Sequence, residues 1–108
     1  MALTMITPEN FNKEVKQSDI PVIIDFYADW CGPCKMMGPV FEKLSSSYEG
    51  KLKFAKVDTE AHPELSQQFG ITGIPCLIVT KKGEEVRRIV GFRPEPALKA
   101  EIDKFLSK

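Results

Sequence analysis

Two cysteines separated by two residues, Cys31 and Cys34, are the residues of this chain best spaced for covalent chemistry. An apolar, β-branched run from Ile20 to Ala28 precedes them, and a helical pattern running to about Tyr48 follows. Thiols at such a strand-to-helix junction can cycle between dithiol and disulfide. The N-terminus of a helix carries unpaired N–H groups and a partial positive charge. Pro33 suits the first helical turn, where a missing N–H costs nothing, and Gly32 permits the tight turn before it. Cys31 is therefore expected at the helix mouth as the exposed nucleophile, with thiolate favoured over thiol. Lys35 adds a nearby positive charge. Cys34, one turn further, is expected to be buried and to resolve the mixed disulfide. The alternative is half of a zinc site. A closed zinc site takes four ligands, and the remaining candidates, Cys76 and His62, are isolated in the sequence. No metal is expected.

Other residues qualify by being out of place. Asp25 interrupts the apolar run Val22-Ile23-Ile24-Asp25-Phe26-Tyr27. Buried there, its carboxyl should hold its proton toward neutral pH, and it could accept the Cys34 proton, through water, as that thiol attacks. The plain alternative is a residue that faces solvent or pairs locally. Lys56, in Phe54-Ala55-Lys56-Val57, is placed either to lie beside Asp25 and temper that shift or to be a solvated strand-edge lysine. Pro75 reads as a strand-start proline, which cannot donate to a ladder. Cys76 follows it. Because side chains alternate along a strand, Cys76 should face away from the cysteine pair if Pro75 faces toward it. It is expected to be a small buried apolar residue rather than a regulatory or metal-binding thiol. His62 reads as a loop residue.

The elements that must position these groups can be read in order. Met1 to Ile6 is a first strand, without the basic region and cleavage site of a signal peptide. Thr7-Pro8-Glu9 starts a helix, with Thr7 as N-cap and Phe11 and Val15 as a thin apolar stripe. Pro21 to Tyr27 is a strand covered on both faces. Met37, Val40, Phe41, Leu44 and Tyr48 recur at helical spacing, with Pro39 expected to kink that helix. Leu52 to Val57 is a second buried strand, and Pro63 to Phe69 a short helix closed by Gly70. Cys76 to Thr80 and Val86 to Val90 flank Lys81-Lys82-Gly83-Glu84, a hairpin signal. Leu98, Ile102, Phe105 and Leu106 mark a C-terminal amphipathic helix, which starts without a strong side-chain cap. The order βαβαβαββα implies an α/β fold with a mixed sheet covered on both faces.

With 108 residues the chain suits one domain, residues 1–108, and should bury about two-thirds of its unfolded surface. Net charge is zero and no basic cluster stands out, so nucleic acid is not an expected partner. No apolar run approaches membrane-spanning length. Three cysteines, only two spaced as a pair, argue against a secreted disulfide scaffold and for a reducing cytoplasm.

Trp30-Cys31-Gly32-Pro33-Cys34-Lys35, with Asp25 upstream, Pro39 five residues after the second cysteine and Gly73-Ile74-Pro75 downstream, closely resembles the thioredoxin family over essentially the whole chain. The resemblance implies five strands and four helices, and a protein disulfide reductase that acts as a monomer. It implies no bound cofactor: electrons are carried by Cys31 and Cys34 and restored by a thioredoxin reductase, which uses NADPH. It implies a proton-acceptor role for Asp25 and a cis peptide at Ile74-Pro75. The Ile74 backbone would then hold an extended substrate strand. Trp30, Gly32, Pro33, Ile74, Pro75, Val90, Gly91 and Phe92 match the family's apolar substrate surface. The chain departs from the family at Cys76, where threonine is usual, at Tyr27, where tryptophan is common, and at Phe92, which is larger than usual.

A Cys31 pKa of about 7, the reference value for thioredoxins and not one obtained from this chain, would raise thiolate roughly sixteen-fold at pH 7. Because nucleophilicity falls with pKa, the rate would rise only about three-fold. Two rival readings remain at this point. One is a glutaredoxin or oxidising isomerase, against which Gly32-Pro33 argues. The other is a binding module whose function would survive loss of both cysteines.

Overall fold

The computed structural model describes residues 3–107. Its core is a five-stranded sheet in the order β1-β3-β2-β4-β5. The strands are β1 (Thr4–Met5), β2 (Val22–Tyr27), β3 (Lys53–Asp58), β4 (Cys76–Lys81) and β5 (Glu84–Val90). β1 and β2 run parallel to β3, whereas β4 is antiparallel to β2 and β5 antiparallel to β4. The sheet is therefore mixed, as the element order implied. Met1 and Ala2, part of the expected first strand, lie outside the described residues.

β2 is central, and its alternating side chains divide the interior in two. Ile23 faces one way with Phe54, Leu77 and Val79, under α1 (Gly32–Ser45) and α3 (Glu95–Leu106), which contribute Met37, Phe41, Leu44, Leu98 and Ile102. Val22, Ile24 and Phe26 face the other way with Val57, Cys76 and Ile78. There they meet Phe11 and Val15 of the N-terminal helix and Leu65 of α2 (Pro63–Gln68). This two-sided burial is why β2 reads as a continuous apolar run.

Several local signals act as expected. The Thr7 hydroxyl accepts from the Asn10 N–H at 3.2 Å, while the Asn10 side chain accepts from the Thr7 N–H at 2.8 Å. This is a reciprocal cap. The helix that follows, Asn12–Lys16, is π-type, with the Gln17 N–H donating to the Asn12 carbonyl. The β4–β5 hairpin turns on Lys82 and Gly83, both at positive φ. That is the pairing a two-residue primed turn requires. α1 runs through Pro39 without a break and stops at Ser45, and a short 3-10 turn carries the chain on to Tyr48.

α2 ends in a Schellman cap. Gly70 takes the left-handed conformation, its N–H donates to the Gln67 carbonyl, and the Ile71 N–H donates to the Ser66 carbonyl. The Arg88 guanidinium then donates to the Phe69 and Gly70 carbonyls while bound to the Glu85 carboxylate. The loop leading from α2 to β4 is thus anchored at its start by backbone and by β5.

Candidate active site

Cys31 and Cys34 form a disulfide, with Cα atoms 5.2 Å apart. Cys31 is the N-cap of α1, in extended conformation, and its sulfur accepts from the Cys34 N–H at 3.2 Å. Pro33 occupies the first helical turn. The helix N-terminus thus directs an N–H at the Cys31 sulfur, the arrangement that favours a thiolate there.

The expected contrast in burial between the two cysteines is not found in this disulfide form. Cys31 and Cys34 are each only 5% exposed. The reason is long-range: Ile74, from a loop 43 positions away, packs against the pair, and its carbonyl oxygen lies 3.9 Å from the Cys31 sulfur. What distinguishes the sulfurs is the surface each meets. Cys31 borders an open depression of about 560 Å³ with Trp30, Gly32, Pro33, Gly73 and Ile74. Cys34 borders a separate opening of about 510 Å³ that it shares with Tyr27, Gly38 and Lys56.

Trp30, 69% exposed, stands at the rim of the first depression. The Ile74-Pro75 peptide is cis. Pro75 is buried, Val90 is exposed, and the Gly91 N–H donates to the Pro75 carbonyl at 2.8 Å. Phe92 packs partly against the α1–α3 side of the core. Pro75, Val90, Gly91 and Phe92 do not line this depression. Thr59, Ser66, Ile71 and Thr72 do, although no local motif marks them. Only the fold brings the end of β3, α2 and its following loop to the cysteine pair.

Asp25 lies on the α1–α3 side of β2 and is 1% exposed. Neither of its carboxylate oxygens has a hydrogen-bond partner among the described residues. Burial raises its pKa to about 6, with the Lys56 charge opposing. Lys56 stands directly opposite it in the parallel register of β2 and β3. The ammonium of Lys56 lies over the Tyr27 ring, 4.4 Å from its centre.

Cys76 sits on the opposite side of the sheet with Phe26 and Ile78, and burial pushes its thiol pKa up. Both effects suppress reactivity. Alkylation of the native, reduced protein is therefore expected to modify Cys31 at least about a hundred-fold faster than Cys76, until denaturant exposes the latter. Mass mapping of the adducts would reveal comparable rates if Cys76 were reactive. Among the described residues, no three metal-ligating side chains come together, and no helix is long and apolar enough to cross a membrane.

A disulfide at the mouth of a helix, packed against the loop that carries a cis proline, defines a centre for thiol–disulfide exchange. Residues 2–104 match the family model described as Thioredoxin. The chain is 42% identical over 105 residues to Thioredoxin 1 of Nostoc sp., covering 97% of this chain and 98% of that one. It is 39% identical over 105 residues to the thioredoxin of Synechocystis sp., with the same coverage. It is 42% identical over 106 residues to that of Staphylococcus haemolyticus, covering 98% of this chain and all of the other. The chain belongs to the thioredoxin family, and it is a thiol–disulfide oxidoreductase.

Proposed function

We propose that this single-domain chain is a general protein disulfide reductant of the cytoplasm, acting as a monomer in electron transport. The observation that carries the reading is the placing of Cys31 at the mouth of α1, beside the depression bordered by Trp30 and Ile74. A substrate disulfide enters there, with its chain alongside the Ile74 backbone and over the apolar surface of Trp30, Gly32, Pro33, Pro75, Val90, Gly91 and Phe92. The Cys31 thiolate attacks one substrate sulfur, and the other leaves as thiolate. The Cys34 thiol then gives its proton to Asp25, through a bridging water, and attacks the Cys31 sulfur. The second substrate sulfur leaves. Two electrons have passed to the substrate, and the protein holds the Cys31–Cys34 disulfide. Lys56 moderates the charge on Asp25. A thioredoxin reductase, drawing on NADPH, returns the pair to the dithiol.

The Asp25 step is tested through pH. The carboxylate must be ionised to accept a proton, so the resolving rate should climb through a midpoint near 6. Asp25→Asn should slow reduction of a small protein disulfide by about ten- to a hundred-fold at pH 7 and remove that midpoint. A rate constant unchanged by the substitution between pH 6 and 8 would refute proton transfer by Asp25.

A further inference from the structure

We propose that Tyr27 is a positioning residue, whose ring holds the Lys56 ammonium away from the Asp25 carboxylate. The proposal rests on the reading of Asp25 as the proton acceptor and adds the group that sets its charge environment. Asp25 and Tyr27 are two residues apart on β2 and so project from the same face. Lys56 emerges on that face too, directly opposite Asp25. An ammonium so placed would be expected to bind the nearest buried carboxylate, since an ionised carboxylate without a partner is costly. It does not. Among the described residues neither Asp25 oxygen has a hydrogen-bond partner, and the ammonium instead lies 4.4 Å from the centre of the Tyr27 ring. An aromatic face attracts a cation electrostatically within about 6 Å. The ring and the carboxylate therefore compete for one cation, and the ring holds it.

Among the described residues, no ion pair ties down the Lys56 ammonium. Asp29 and Asp58 act on Tyr27 as Asp25 does, and Asp58 stands directly opposite Tyr27, two positions on from Lys56, with its carboxylate accepting from the Glu60 and Ala61 N–H groups. Over the opening, α1 presents Lys35 and Glu42 together with Cys34. From β4, Cys76 lies across the sheet. Burial and these acidic neighbours raise the Tyr27 phenol pKa above its ordinary value, so the ring stays neutral throughout the relevant range.

The test follows the Asp25 carboxyl by carbon NMR in the disulfide form, where the active-site thiols do not titrate. Tyr27→Phe keeps the ring and should leave the Asp25 midpoint in place. Tyr27→Leu frees the ammonium to pair with Asp25, and the midpoint should fall by about half to one pH unit. Should Tyr27→Leu not fold, Tyr27→Met carries the same expectation. The controlling comparison is made in a Lys56→Met background, where Tyr27→Leu should have no further effect. An Asp25 midpoint that stays put or rises in Tyr27→Leu overturns the proposal. So does a fall that persists without Lys56, because hydration alone would then explain it. These outcomes are separable from failure of the Asp25 reading itself. In that case Asp25→Asn leaves the exchange rate unchanged, while the carboxyl titration still responds to Tyr27.

Discussion

A Cys34→Ser variant is expected to attack substrate disulfides at near the native rate and then stop. The attacking sulfur in this arrangement is the one that meets the Trp30–Ile74 depression, which Cys31 borders and Cys34 does not. Without Cys34 the mixed disulfide awaits an external thiol. Intramolecular effective molarities far exceed millimolar thiol, so its lifetime should lengthen at least about a thousand-fold. Cys31→Ser should form no such adduct. Non-reducing electrophoresis and mass spectrometry of a cell extract exposed to each variant would show the difference. Adducts of similar abundance with both variants would reverse or dissolve the assignment of roles. Adducts of Cys34→Ser with many proteins would indicate a broad reductant, and with one or two a dedicated one. The estimate that a lowered Cys31 pKa speeds attack only a few-fold gives this result its weight. On the proposed mechanism, the second thiol and its proton acceptor should matter as much.

The second large effect concerns stability. Asp25 has its pKa raised from 3.8 to about 6, first by burial and against the Lys56 charge. The folded protein therefore binds that proton more tightly than the unfolded chain does. The resulting stabilisation is complete below about pH 4 and is lost as pH rises through about 6. A change of about two pH units corresponds to about 3 kcal/mol. Asp25→Asn removes the titration. Relative to wild type in the disulfide form, the variant should gain about 2.5 kcal/mol of that between pH 4 and pH 8, or roughly ten degrees or more in melting temperature. The amide of Asn would itself lack a partner there, so the change with pH is the quantity to read, not the difference at one pH. Denaturant titrations at several pH values would measure it. A difference that stays flat from pH 4 to pH 8 would mean that the carboxyl does not titrate in this way. That result would mark Asp25 as a residue that costs stability near neutral pH, the pattern expected at a functional position.

Much of this was legible in the chain because each signal was local. Asp25 stood out since a carboxylate has no reason to sit in a two-sided apolar strand. The side taken by Cys76 followed from strand alternation once Pro75 was taken to face the cysteine pair. Pro33 and Gly70 announced one helix start and one helix end. What could not be read depends on distant contacts. The equal burial of Cys31 and Cys34 comes from Ile74, which the fold delivers from beyond α2. Thr59, Ser66 and Ile71 reach the depression only because β3 and α2 end beside the helix mouth. The π-type geometry of Asn12–Lys16 has no residue pattern of its own. A hydrogen bond one position longer than usual leaves the same apolar residues, Phe11 and Val15, buried. The cis state of Ile74-Pro75 came from family resemblance, since most such bonds are trans.

The cap on α2 and the grip of Arg88 on the Phe69 and Gly70 carbonyls have a bearing on choice of target. They fasten the wall of the docking depression before any partner arrives. A fastened wall has little ordering entropy left to lose, so that loss falls on the incoming chain. On the proposed function, the protein should then discriminate by mechanical readiness. A disulfide in a segment that already frays should be reduced faster than the same bond in a rigid core, which must wait for its own surroundings to open.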